Sequence, residues 1–284
     1  MTLPGSAPPL TVVVSRGQSR HPEKRALEQT VADGCGSIGG VAVLSVPHLY
    51  DLPHRGEVAE RLATLRGDVV VVSWVFERAA RWVLSRHGVD PGGEIRCVDL
   101  KSEPAAEPVI DRVRSWIGDR SGEADLTMER LEETTRRRWY PVIDFDRCTN
   151  CMECVDFCLF GVYGLDAADT ILVEQPDNCR KGCPACSRVC PENAIMFPQH
   201  KAPAIAGAEV DDDAGFKIDL SQLFGAPSGG DDRIATAARE RDEQLLLTGQ
   251  QARGLDEQLA NLRAAAGPKD HLDDLIESLE AESL

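Results

Sequence analysis

Four short aliphatic runs punctuate the first third of the chain: Leu10-Thr11-Val12-Val13-Val14, Val41-Ala42-Val43-Leu44, Val69-Val70-Val71-Val72-Ser73 and Ile95-Arg96-Cys97-Val98. They are rich in β-branched residues and nearly continuous, the pattern of parallel strands buried on both faces. Between them, mixed stretches from Pro22 to Ala32, Gly56 to Leu65 and Phe76 to His87 predict helices. Pro22 suits a first helical turn, whose amides have no intrahelical partner, and Gly88 suits a helix end. Strands alternating with helices predict a small open, mostly parallel sheet with helices on both faces over residues 10–117.

The pattern then changes twice. Residues 118–138 are charged, and Leu126 to Arg138 predicts a helical connector ending in Arg136-Arg137-Arg138. Such a basic cluster packs between domains, receives an acidic partner or simply faces water. Over 139–200 the apolar stretches are much shorter: Val142-Ile143, Phe160-Gly161-Val162-Tyr163, Leu172-Val173 and Ala194-Ile195-Met196-Phe197. They repeat as strand, loop, short helix, strand, in two copies. From residue 201 a tail begins. Asp211-Asp212-Asp213 and the stretch Gly225 to Asp232 have linker composition, and the apolar island Phe216 to Phe224 lies between them. Near the end, Leu272, Leu275, Ile276 and Leu279 share one face of a predicted amphipathic helix with acids opposite. An acidic helix avoids an anionic membrane, so it is expected to dock on a protein partner or on its own domain.

Charge agrees with that division. The chain has 284 residues and a formal net charge of −16, and residues 207–284 hold 18 acidic against 7 basic side chains. Such a balance gives no footing for nucleic acid. No stretch approaches the roughly 20 apolar residues of a membrane span.

Ten cysteines carry the chemistry, and eight fall into two runs: Cys148, Cys151, Cys154 and Cys158, then Cys179, Cys183, Cys186 and Cys190, followed by Pro191. The first run is C-x2-C-x2-C-x3-C, the spacing that holds cubane iron–sulfur clusters on thiolates. Zinc knuckles formed by Cys151, Cys154, Cys183 and Cys186 are an alternative, but they leave four cysteines without a role. Disulfides are another; they need an oxidising compartment, and Met1 to Leu10 lacks the basic and apolar regions of an export signal. A cytoplasmic location is therefore expected.

The segment of about residues 139–198 resembles the bacterial-type ferredoxins that carry two [4Fe-4S] clusters. The resemblance implies crossed ligation, in which the fourth cysteine of each run serves the other run's cluster. It puts Cys148, Cys151, Cys154 and Cys190 on one cluster and Cys179, Cys183, Cys186 and Cys158 on the other. Two departures stand out. The second run opens as C-x3-C, so one residue must bulge, and Gly182 is the one able to take the unusual dihedrals. The proline that follows the fourth cysteine is Pro191 in one half but Leu159 in the other.

Elsewhere the chemistry is thinner. Ser15 to His21 follows a strand and leads into a helix, so its amides, with Arg16 and Arg20, could meet an anion or form an ordinary solvated loop. Gly34-Cys35-Gly36-Ser37-Ile38-Gly39 has the dinucleotide spacing but follows a helix and opens a strand, the reverse of the nucleotide context. Cys35 is either a small buried side chain or a reactive thiol, and Cys97 belongs to a buried strand. His21, His48 and His54 come near strand ends, but no pair has metal-ligand spacing.

The expected architecture is α/β plus α+β: a sheet domain, a connector, a ferredoxin-like two-cluster domain over 139–200 and an acidic, partly helical tail over 201–284. The expected function is electron transfer between redox partner proteins, as a carrier or as an electron-transfer subunit without its own substrate site. The alternative is a redox enzyme whose α/β domain binds a small molecule reduced through the clusters. A deep polar pocket at the strand ends separates the two.

Overall fold

The computed structural model describes residues 9–103, 105–118, 120, 128–209 and 230–254. The apolar island of 216–224 and the amphipathic stretch of 272–279 lie outside the described residues.

The four valine-rich runs become β1 (Leu10–Ser15), β2 (Val41–Val46), β3 (Gly67–Ser73) and β4 (Gly92–Asp99), joined by the two-residue β5 (Glu129–Arg130) in one parallel sheet of order β4-β3-β1-β2-β5. Successive side chains on a strand point to opposite faces. Val12, Val14, Val70 and Val72 accordingly pack with α1 (Pro22–Gly36) and α4 (Ala106–Trp116). Val13, Leu44, Val69 and Val71 pack with α2 (Glu57–Ala63) and α3 (Glu77–Arg86). Both faces are dry, which is why the strands read as continuous apolar runs.

Helix α4 goes beyond the elements read from the sequence. Its signal is Ala106, Val109, Ile110 and Val113, spaced i, i+3, i+4, i+7. It packs against α1, where Gly34 lies so close to Ile110 that an added Cβ would fall 2.3 Å from its Cδ1. The glycine run therefore opens with a helix-packing role. Helix α1 continues through Gly36, four residues past Ala32, which moves Cys35 from the expected loop into the last helical turn.

The predicted helix of 126–138 does not form in its described part. Residues 129–130 pair with the open edge of β2, and the Leu131 amide donates to Ser45 O at 2.9 Å. Arg16 donates to Leu131 O at 2.6 Å and pairs with Glu132, while Arg61 pairs with Glu129 at 2.7 Å. Unpaired backbone on a sheet edge outweighs a local helix preference of a few tenths of a kcal/mol per residue, about what most side chains contribute. The arginine cluster is used inside the molecule: Arg137 donates to Gln18, and Arg138 donates to Leu52 O at 2.9 Å and pairs with Asp177 at 3.0 Å.

The cysteine segment has pseudo-twofold pairing. β6 (Val142–Ile143) runs antiparallel to β9 (Ile195–Met196), and β7 (Tyr163–Leu165) runs antiparallel to β8 (Ile171–Val173). The first strand of one half thus pairs with the last strand of the other. Helices α5 (Glu153–Phe157) and α6 (Ala185–Val189) each lie inside a cysteine run. The apolar stretch at 160–163 joins the sheet only from Tyr163 onward.

This segment sits on the α2/α3 face of the sheet. Tyr140, Val142 and Met196 share its core, and the Tyr140 ring stacks on Tyr50 with centroids 4.3 Å apart. Arg78 of α3 pairs with Asp144 at 2.6 Å with both side chains buried, and Arg86 donates to Val173 O at 3.0 Å. The short α7 (Pro203–Ala206) then leads to Gly207, whose φ of +104° lets the backbone pass against Ala79 and Met196. The last helix among the described residues, α8 (Gly230–Leu247), packs on α6. No helix among the described residues is long and apolar enough to cross a membrane.

Candidate metal centres

Each ligand run is shaped by a few backbone choices. In the first, Asn150 and Met152 take positive φ of 58° and 69° on either side of Cys151, which turns the loop around a centre. Asparagine tolerates that region better than most residues. The Asn150 side chain also accepts from Ile171 N at 2.9 Å and donates to Asp169 O at 2.8 Å, tying the loop to the β7–β8 hairpin. In the second run the extra residue of C-x3-C is absorbed at Gly182, with φ of +91° and open space around it. The Trp139 indole donates to Cys183 O at 3.1 Å and fixes the loop from the other side.

The eight thiols gather into two groups. Cys148, Cys151, Cys154 and Cys190 line one cavity, with Ile143, Ile171 and Ile195 as walls. Cys158, Cys179, Cys183 and Cys186 line a second, walled by Phe157, Phe160 and Val162. In each cavity three cysteines come from one run and the fourth from the other. The β6–β9 and β7–β8 pairings produce this exchange, because they bring the end of each half beside the start of its twin.

The electrostatics sort the thiols the same way. Burial and then the neighbouring Cys190, Cys148 and Cys151 push Cys154 up to about 12. Burial pushes Cys183 up to about 11, with Cys158 adding to the rise. Cys186 is raised well above the ordinary thiol range by burial, then by Cys179, Cys158 and Cys183. Four acids pressed together in apolar surroundings cannot all ionise unless a cation joins them. Among the described residues no three such side chains converge as a single ion requires; the sulfurs ring a volume instead. Soft donors around a dry volume fit an iron–sulfur cluster, which supplies iron to four thiolates and takes up one electron at a time.

The two cavities differ in their surroundings. The first, here the outer site, has Cys151 exposed and Cys148 half-buried. The second, the inner site, touches the α/β side through Cys179, which packs at the edge of the α2/α3 core. On another side α8 covers it: Ala237 and Ala238 pack with Phe157, Cys183 and Val189, and Arg241 lines the cavity itself. The buried Tyr163 hydroxyl faces Cys186 and has no other partner. The cysteine spacing carries no trace of Arg241, Tyr163 or Trp139. For Arg241 the one signal is its position on the buried face of α8 with Ala237, Ala238 and Leu245.

The remaining sequence candidates do not join these sites. In the loop after β1, Gly17 N donates to the buried Glu28 carboxylate at 2.7 Å, the Trp74 indole donates to the same oxygen at 2.6 Å, and Arg25 pairs with Glu28 at 2.9 Å. A side chain of the protein thus occupies the place of an anion, and Ser73 is buried and bonded to Val75. Cys35 is fully buried and its thiol is pushed up to about 12, as is that of Cys97, so neither is a reactive thiolate. His48 is buried beside Asp51, whereas His21 is exposed at the start of α1. A wider cleft of about 590 Å³ opens between α3, edge strand β4 and the loop before Cys148. Arg78, Arg96 and Arg147 in its wall are paired with Asp144, Glu94 and Glu209, which leaves little surplus charge to select a ligand.

Known proteins match part of the chain. It is 47% identical over 66 residues to an uncharacterized ferredoxin of Methanocaldococcus jannaschii, a stretch covering 23% of this chain and 44% of that one. It is 36% identical over 61 residues to the pyruvate synthase subunit PorD of the same organism, and 32% identical over 68 residues to Ferredoxin-3 of a Nostoc species. Each of those two matches covers 69% of the relative, and they cover 22% and 18% of this chain respectively. The chain therefore spans less than half of the first relative. No family model and no solved structure matches it. Over about a fifth of its length, the chain belongs to the ferredoxins, the proteins of iron–sulfur electron transport.

Proposed function

We propose that this protein carries two [4Fe-4S] clusters and passes single electrons between protein partners, as a carrier or as the electron-transfer subunit of a larger oxidoreductase. Cys148, Cys151, Cys154 and Cys190 hold the outer cluster; Cys179, Cys183, Cys186 and Cys158 hold the inner one. The observation that carries this reading is the division of eight thiols into two groups of four, each completed by the opposite run. The similarity to PorD supports a subunit role. The sheet domain of 10–117 and the tail of 201–284 flank the cluster domain of 139–200 and select its partners. Residues 128–138 lead into the cluster domain as an extended, edge-pairing strap. A reducing compartment such as the cytoplasm suits eight thiolates. The saturated loop after β1 speaks against the sheet domain as a substrate-reducing enzyme.

Anaerobic purification followed by iron and sulfide analysis and EPR of the reduced protein tests the reading. Two clusters give about eight iron and eight sulfide per chain and two interacting spin signals. Colourless protein with bound zinc overturns it.

A further inference from the structure

Arg241 is 1% exposed, among the most buried large side chains of the protein. Its guanidinium lies 4.7 Å from the Phe157 ring and forms part of the wall of the cavity ringed by Cys158, Cys179, Cys183 and Cys186. It is held from behind by Asp242, at 2.9 Å and 3.0 Å, and by Gly254 O at 3.0 Å. The helix that carries it is anchored beside it, since Arg188 of α6 grips Glu240 through two bonds of 2.8 Å and 2.9 Å. Burying a guanidinium is costly, and an apolar side chain would fill the same space more cheaply. Asp242 offsets part of that cost, and the same guanidinium also lines the four-cysteine cavity. Four thiolates around an iron–sulfur cluster form a net anion, and one-electron reduction adds a further negative charge. A fixed positive charge in a dry setting favours that reduced form.

We propose that Arg241 is a charge-compensating residue for the inner site: α8 holds its guanidinium against the four-cysteine cavity and makes the cluster bound there easier to reduce than it would be without the helix. Arg241 acts as a positioning and tuning group and is not a ligand. This rests on the assignment of clusters to both sites made above.

The test uses the full-length chain, loaded anaerobically, with both midpoint potentials read by EPR during a mediated redox titration. Arg241→Met keeps length and apolar bulk while removing the charge; Arg241→Lys restores a cation. The expected result is a negative shift of one midpoint in Arg241→Met, no shift of the other, and recovery in Arg241→Lys. In a Cys183→Ser background whose inner cluster is lost, Arg241→Met leaves the remaining midpoint where it was. Unchanged midpoints, or equal shifts of both, overturn the proposal. So does Arg188→Gln, which loosens α8 but keeps Arg241, if it reproduces the Arg241→Met shift, because the cause is then solvent entry and not charge. Should Arg241→Met shed iron, Arg241→Gln, which keeps a donor for Gly254 O, makes the same comparison. Wild-type protein that binds two clusters but shows no Arg241 effect refutes this inference alone; wild-type protein that binds none refutes the functional reading with it.

Discussion

The outer and inner sites use nearly the same cysteine pattern in opposite surroundings. Around the outer site the wall is made by the cysteine segment itself, and Cys151 reaches the surface. Around the inner site three parts of the chain meet: Trp139 just after the strap, the α2/α3 core against Cys179, and α8 with Arg241. A sequence repeat thus makes two equivalent half-units, while the elements packed around them make two inequivalent centres. On the proposed reading, the outer site is the one that a protein partner approaches closely, and the inner site is the one whose properties the rest of the chain sets.

The largest expected effect breaks the pairing itself. Cys190→Ala lies in the second run but should cost the outer cluster, halving the iron content while the inner cluster remains; selective loss of the inner cluster would show that ligation is not crossed. Next comes the buried ion pair that anchors the outer loop to α3. Asp144 N donates to Ala194 O at 2.8 Å and Asp144 O accepts from Cys148 N at 3.0 Å, so its position governs the first ligand. Arg78→Ala leaves that buried carboxylate with Arg147 at 3.5 Å and the Asp146 amide at 3.0 Å, and should destabilise the protein by about 1–3 kcal/mol. Denaturant unfolding should show the loss, with bleaching of the outer cluster ahead of the inner one.

A third substitution loosens the cover. Ala238 is buried against the inner site, and Ala238→Asp places a carboxylate there that can reach water only if α8 lifts away. A shift of about 1.4 kcal/mol toward the lifted state raises its population tenfold. Oxygen should then bleach the inner cluster correspondingly faster, and equal acceleration at both sites would remove the distinction drawn between them. The smallest effect is at Gly182. Its φ of +91° is disfavoured for any side chain, so Gly182→Ala should cost about 1 kcal/mol of stability, read as a lower urea midpoint and felt at the inner site only.

Legibility followed how local the physics was. Strands β1–β4 were readable because residues such as Val70, Val71 and Val72 are buried on both faces and leave no polar alternation. The ligand runs were readable because thiolate spacing is set within a few residues, and so was the bulge at Gly182. The stretch Leu126 to Arg138 suits a helix by composition, and only the free edge of β2 makes extension the better choice for its described part, 128–138. The anion loop after β1 was equally local in appearance, but Glu28, eleven residues on, folds back to occupy it. Helix α4 had its signal in Val109, Ile110 and Val113, interrupted to the eye by Pro108 in the first turn.

The sequence by itself determined that eight thiols occur in two iron–sulfur runs and that a valine-rich parallel sheet precedes them, since both depend on periodicity and spacing along the chain. Tertiary structure decided which thiols face each other, which of the two cavities is closed, and that a buried arginine more than fifty residues past Cys190 ends beside Cys183. Those outcomes depend on strand pairing and helix docking across long separations, where the free energy comes from burying distant surfaces together and leaves no repeat in the sequence to read.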